Sequence, residues 1–264
     1  HPGCTIDVFA PKWSQAVYRR MPEADGILDN PFGHGALRLR ERWRVGRELG
    51  KRGYDQVIAT AGSLKMGLLA FATGIRRRTG YVGEQRYLLL NDIRRLDKAA
   101  LPLMVDRYTA LACESQADFD GVSSRPAFAI SPASVAAALA KHNLNTDKPV
   151  IAFCSGAEYG PAKRWPARHF AETARHYAAR GHQIWLFGSH KDAAVAEEIN
   201  ALSGGLCTNL CGKTALDDAI DLLACADTAF CNDSGLMHIA AAAGCRLVAI
   251  YGSSSPEHTP PLSS

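Results

Sequence analysis

From Lys148 onward, short runs of apolar, β-branched and aromatic residues alternate with amphipathic stretches, and this alternation limits the fold more than any other feature of the sequence. It predicts strands at Val150–Cys154, Gln183–Phe187, Leu206–Leu210, Thr228–Asn232 and Arg246–Tyr251, with helices between them near Ala167–Arg180, Asp192–Leu202, Leu216–Ala224 and Leu236–Ala243. A strand–helix–strand alternation of this kind builds a parallel, doubly wound α/β sheet with helices on both faces. Ligands meet such a sheet outside the carboxyl ends of its strands.

The first half is less regular. Thr5–Ala10 and Gln56–Thr60 read as strands and Leu64–Phe71 as a helix. The segment from Leu37 to Arg52 carries Arg38, Arg40, Arg42, Arg44, Arg47, Lys51 and Arg52 among few apolar residues, and reads as an exposed helix with a solvated face ahead of a ligand contact. Ser131–His142 is Ala-rich and helical in character, and the polar stretch of residues 143–147 follows it. The domain boundary is expected there, giving an N-terminal domain of residues 1–143 and a C-terminal domain of residues 144–264. The net charge of +4 is split unevenly between them. Residues 1–143 hold 21 Lys and Arg against 14 Asp and Glu, and residues 144–264 hold 9 against 12. An anionic partner is therefore expected at the first half.

No uncharged apolar run approaches the roughly 18 residues that would suggest a membrane-crossing helix, and the opening residues lack the basic and apolar regions of a secretory signal. The expectation is a soluble, cytoplasmic chain. Its eight cysteines are scattered through apolar runs without any C-x-x-C, which reads as reduced, buried thiols and not as a metal site or a disulfide framework.

Two segments carry chemistry. In Phe230–Ala242 a buried strand runs into the small polar turn Asn232-Asp233-Ser234-Gly235 and then an Ala-rich helix. Asp233 or Ser234 can cap that helix, leaving the amides of Ser234, Gly235 and Leu236 at the positive end of its dipole, a setting that suits a pyrophosphate. His238 lies one turn further on and can approach the same mouth as a cation or hydrogen-bond donor, although a lone helical histidine is ordinarily structural. The second segment, Phe153–Pro166, follows the first strand of the same sheet as a glycine-bearing loop. Pro166 opens the next helix, and Lys163 and Arg164 precede it at the ligand-binding edge. A lysine there can neutralise charge on a departing diphosphate.

Familiar alternatives fail on spacing. Gly212-Lys213-Thr214 ends like a P-loop, but Cys207 stands where the first glycine belongs. Gly33-His34-Gly35 has Arg38 in place of the third glycine of a dinucleotide fingerprint, which counts against a dehydrogenase.

The run Asp233–His238, the loop Gly156–Pro166 and the terminal Ser255–Ser263 together resemble the ADP-heptose:lipopolysaccharide heptosyltransferases of glycosyltransferase family 9. The last two are closest to the type II pattern, as are Arg78-Thr79-Gly80-Tyr81, Gly83–Tyr87 and Leu89-Leu90-Asn91-Asp92. The resemblance covers essentially the whole chain. It implies a GT-B fold, two Rossmann-like domains facing a cleft, with the sugar nucleotide on the C-terminal domain and an anionic acceptor on the basic N-terminal one. The implied reaction is inverting transfer of L-glycero-D-manno-heptose from ADP-heptose to the heptosyl-Kdo2-lipid A inner core. It would need no metal and no cofactor, involve no nucleic acid, and bring the chain into peripheral contact with the inner membrane surface. Carried over residue by residue, Lys163 and Asp233 are the catalytic candidates, Lys163 at the diphosphate and Asp233 at heptose hydroxyls. Ser234 and Gly235 would offer amides, and Glu158, Tyr159, Asp192, Thr214 and His238 would complete the donor site. Ser63, Lys65 and Arg86 would contact the acceptor.

The resemblance also implies that the chain is truncated at both ends. Relatives begin with another strand and a loop bearing the aspartate thought to act as general base, so the N-terminal sheet is expected to lack its first strand and catalysis to be impaired. A type I heptosyltransferase, a sugar-nucleotide epimerase sharing the architecture, and a non-catalytic nucleotide-sugar binding fragment are the rival readings.

Overall fold

The computed structural model describes residues 3–33, 35, 37–121, 125–157 and 161–263. The chain forms two compact units, one comprising His1–Pro31, Arg125–Pro256 and Pro261–Ser264, the other Phe32–Ser124 with Glu257–Pro260.

The first unit is built on the predicted parallel sheet. Its strands are β6 (Val150–Cys154), β7 (Gln183–Phe187), β8 (Cys207–Asn209), β9 (Ala226–Asn232) and β10 (Arg246–Ile250), in the spatial order β10-β9-β6-β7-β8. Every neighbouring pair is parallel. The strands are apolar on both faces because both are covered. Val150, Ala152 and Cys154 point into a core shared with Trp185, Phe187, Leu222, Leu223, Met237 and Ala240. Ile151 and Phe153, one residue out of step, point into the opposite core with Phe170, Ala174, Ile184, Leu186 and Ile199. The covering helices are α6 (Ala167–Ala178) and α7 (Ala193–Ser203) on one face, α8 (Leu216–Leu223) and α9 (Gly235–Ala242) on the other. Every one of these elements lies within a few residues of its sequence expectation.

Also in this unit are β1 (Asp7–Ala10) and β2 (Gly26–Asp29), a parallel two-stranded sheet joined through the short helix α1 (Gln15–Arg19), and α5 (Pro132–Lys141). The unit boundaries therefore differ from a single cut after residue 143. The physical reason is Asp221 on α8, only 3% exposed. Its carboxylate accepts a hydrogen bond from Arg20 at 2.5 Å and another from Ser134 at 3.2 Å, so a buried charge ties α1 and α5 to α8. The backbone adds Ala129 N–H to Arg20 O and Phe128 N–H to Ala242 O. Nothing in local periodicity announces such a contact.

The second unit holds the parallel sheet β3 (Gln56–Ala59), β4 (Arg77–Tyr81) and β5 (Asp92–Arg94), with α2 (Leu39–Gly50), α3 (Leu64–Ala72) and α4 (Met104–Thr109). Gly46 and Gly50 let α2 lie against the end of α3. A Cβ at Gly46 would fall 2.6 Å from Ala72 Cβ, and one at Gly50 would run into the Thr73 carbonyl. Strands β4 and β5 escape a hydropathy reading because arginines and an aspartate fill them. Asp92 accepts from Arg77 at 2.9 Å, Thr79 at 2.9 Å and Arg94 at 2.6 Å, so the charges are satisfied across the ladder.

Candidate functional site

In the five-stranded sheet the chain runs outward from β6 through β7 to β8, then returns to the other side of β6 as β9 and β10. The topological switch point therefore lies between β6 and β9, and the segments leaving their carboxyl ends diverge around a crevice. The two segments singled out in the sequence are those that follow β6 and β9.

They meet directly. Lys163 Nζ lies 2.6 Å from Asp233 Oδ2, with the carboxylate side chain 9% exposed and the lysine 25%. Burial pushes the Asp233 carboxyl upward, but hydrogen bonding from Lys163 and then Ser254, together with the charge of the lysine, outweighs this and holds it below the usual carboxylate range. Asp233 is thus ionised at neutral pH and the lysine is held beside it. Among the described residues this cation is kept in place by a single side-chain carboxylate, a partner that an anionic ligand can replace.

Ser234 occupies the N-cap position of α9, but its hydroxyl makes no capping hydrogen bond. Among the described residues no acceptor takes the Gly235 and Leu236 amides, and Gly235 is exposed with open space above it. The positive end of α9 is consequently available to an anion. Desolvation lowers the His238 pKa, with Asp233 opposing, which favours the neutral hydrogen-bond donor over the cation of the two roles considered from sequence.

Asp192 packs against the start of the β6 loop. A Cβ at Gly156 would lie 2.5 Å from its carboxyl carbon, and a Cβ at Gly188 would lie 2.9 Å from its own Cβ, so both glycines are required by its position. The carboxylate also accepts from Ser189 N–H and Oγ at 2.9 and 2.7 Å. Thr214 is half-buried, beyond the carboxyl end of the edge strand β8 and just before α8. Glu158 and Tyr159 lie outside the described residues.

Sequence reasoning missed Asn232. It is fully buried at the end of β9, donates Nδ2–H to the Ser155 carbonyl at 2.7 Å and accepts the Trp165 N–H on Oδ1 at 3.1 Å. An asparagine beside Asp233 in a turn looks like turn chemistry; only the fold brings residues 67 and 77 positions away against its amide.

In the second unit, Ser63 is the N-cap of α3, and Lys65 donates to the Gly35 carbonyl at 2.7 Å. The structure gives Arg86 a different task from acceptor contact. It is 2% exposed, and its guanidinium donates to the carbonyls of Ala61 at 2.8 Å, Gly83 at 3.3 Å and Tyr81. The loop it braces has Glu84 and Gln85 at positive φ (36° and 55°), and Glu84 accepts the Leu64 N–H at the start of α3 at 2.6 Å.

A parallel α/β sheet with a lysine, a carboxylate and, among the described residues, unpaired helix amides at its switch point defines a Rossmann-type protein. The chain belongs to glycosyltransferase family 9, the heptosyltransferases, whose model matches residues 42–264. It is 44% identical over 272 residues to lipopolysaccharide heptosyltransferase 2 of Escherichia coli (strain K12), covering all of this chain and 78% of that protein. It is 46% identical over 275 residues to lipooligosaccharide heptosyltransferase 2 of Haemophilus influenzae, covering all of this chain and 79% of the relative. Among solved structures, that of the E. coli ADP-heptose lps heptosyltransferase II superposes with a TM-score of 0.90 at 41% identity, covering 100% of this chain and 80% of the other. The fold is accordingly of the GT-B type, and the chain is that of a glycosyltransferase.

Proposed function

We propose that this enzyme moves L-glycero-D-manno-heptose from ADP-heptose to the heptosyl-Kdo2-lipid A inner core in lipopolysaccharide biosynthesis. The observation that carries the reading is the Lys163–Asp233 pair beside the uncapped start of α9, in a chain more than 40% identical along its whole length to type 2 heptosyltransferases. Lys163 exchanges Asp233 for the diphosphate and meets the charge that grows on departing ADP. The Ser234 and Gly235 amides add to it, and His238 contributes a neutral donor. Asp233, released from the lysine, accepts hydrogen bonds from heptose hydroxyls; beside a diphosphate an unpartnered carboxylate would only repel. With cationic and amide groups so placed, the donor chemistry calls for neither a metal ion nor a cofactor. Asp192 and Thr214, on the same carboxyl edge, line the nucleotide side together with Glu158 and Tyr159. Ser63 and Lys65 contact the acceptor, and Arg86 serves them by holding the 83–86 loop.

The same reading places the enzyme in the cytoplasm, at the inner face of the membrane that carries its acceptor. No helix among the described residues is long and apolar enough to cross a bilayer. Peripheral contact is supported by α2, whose outer face exposes Leu39 and Trp43 beside Arg40, Arg44 and Arg47, and by Phe71 of α3, 6.2 Å from the Trp43 ring.

Calorimetric titration with ADP-heptose, ADP, UDP and NAD tests the donor assignment. The expected result is binding of ADP-heptose and ADP over UDP and NAD, weakened in Lys163→Ala. A chain that unfolds cooperatively yet binds no ADP-heptose would overturn it.

A further inference from the structure

We propose that Asn232 is a positioning residue for heptosyl transfer, holding Lys163 in register with the diphosphate by fastening both ends of the loop that carries it. The proposal rests on the donor-site reading of Lys163 given above.

Ser155 follows directly on β6, and Trp165 comes two residues after Lys163 and two before α6, so one buried carboxamide is bonded at both points where the segment bearing Lys163 joins these elements. The two contacts demand opposite chemistry. The Ser155 carbonyl needs a donor and the Trp165 N–H needs an acceptor, 2.7 and 3.1 Å from the two ends of the same short amide. Aspartate would set a second acceptor against the Ser155 carbonyl, and an aliphatic residue would leave both backbone groups unpaired. The next residue, Asp233, reaches Lys163 itself at 2.6 Å. On a third side, Gly252 abuts the loop so closely that a Cβ there would lie 2.5 Å from the Ala162 carbonyl oxygen. Residues 161–165 are thus held at Trp165, at Lys163 and against Gly252, and the cation is aimed by a group that ADP-heptose displaces. Ordering that segment during folding removes an entropic cost that would otherwise fall on donor binding. The neutrality of the amide matters too, because a charged brace one residue from Asp233 would compete with Lys163 or with the diphosphate.

A purely structural asparagine would satisfy the same backbone groups, so the test must read Lys163. A double-mutant cycle on the full chain does so, with ADP as the titrant and thermal unfolding recorded for each protein: wild type, Asn232→Ala, Lys163→Ala and the double variant. Asn232→Ala is expected to weaken ADP binding about tenfold when Lys163 is present, and less than about twofold when Lys163 is already alanine. In transfer assays, the single variant should lower kcat more than it raises KM for ADP-heptose, because Lys163 acts on charge that develops as ADP departs. Equal losses in both backgrounds would overturn the proposal, leaving Asn232 as a strand-end brace. Asn232→Asp, which keeps the acceptor for Trp165, carries the same cycle if the alanine variant does not fold. Failure of both to unfold cooperatively would also overturn it, assigning the residue to sheet stability alone. Wild type that folds but does not bind ADP would instead sink the donor-site reading on which the proposal stands.

Discussion

Lys163 and Arg86 look alike in the sequence: each is a basic residue in a glycine-bearing loop at the end of a parallel strand, and each belongs to a segment that resembles the family. The fold treats them oppositely. Among the described residues Lys163 stays partly exposed and faces one carboxylate, while Arg86 is buried and donates to the carbonyls of Ala61 after β3, Tyr81 at the end of β4 and Gly83 in its own loop. On the donor-site reading proposed above, a cation paired with a side-chain carboxylate can be handed to an anionic ligand, because the carboxylate accepts hydrogen bonds from sugar hydroxyls in exchange. A guanidinium that closes a backbone turn cannot leave without stranding buried carbonyls. The chemical partner, and not the residue type or the loop composition, separates a ligand contact from a brace.

That contrast is easiest to break with paired truncations. Lys163→Ala is expected to lower kcat/KM for ADP-heptose by about 10²–10³-fold, with a smaller loss of thermal stability than Arg86→Ala, the part that comes from leaving Asp233 without its lysine. Arg86→Ala should do the reverse, costing about 3 kcal/mol of stability in urea unfolding, with ADP affinity unchanged. Similar losses of activity and stability in both variants would erase the distinction.

A smaller effect sharpens it within the second unit, where Asp92 is another brace from a family-like segment. Hydrogen bonding from Arg94, then Arg77 and Thr79, outweighs burial and holds its carboxyl at about 2, against an ordinary value of 3.8. Because the folded-state pKa is depressed, the stabilisation is fully present above pH 3.8 and is lost as the pH falls toward 2. Asp92→Asn should therefore cost about 2 kcal/mol at pH 7, and the gap from wild type should close over that acid window. A gap independent of pH would mean that shape, and not charge, holds β4 to β5.

The weakest effect expected is at His238. Its depressed pKa leaves it neutral at pH 7, so it contributes one ordinary hydrogen bond, and His238→Ala should weaken ADP binding about fivefold. A loss approaching that of Lys163→Ala would show that the imidazole is charged in the complex.

The C-terminal sheet was legible because β6, β7 and β9 bury both faces, leaving apolar runs framed by amphipathic helices. The turn at Asp233-Ser234-Gly235 and the loop bearing Lys163 were legible for the same reason, since strand ends fix where polar turns must fall. Strands β4 and β5 were hidden by Arg77, Arg78, Asp92 and Arg94, whose polar groups find their partners only in the folded unit: Arg77 on Asp92 and Glu114, Arg94 on Asp92, and Arg78 on the Ile75 and Leu89 carbonyls. The split of the first half between two units was hidden as well, because Arg20 finds Asp221 only across 201 residues.

The sequence by itself determined the parallel α/β sheet and the two segments at its carboxyl edge, because periodicity and turn chemistry are local properties, and the family through the motifs by which it resembles the heptosyltransferases. Tertiary structure alone decided that Lys163 meets Asp233, that Arg86 is buried on backbone carbonyls, and that Asn232 binds Ser155 and Trp165. Those outcomes depend on burial and on partners brought together from distant positions, and burial sets both the cost of leaving a polar group unpaired and the charge a titratable group can keep.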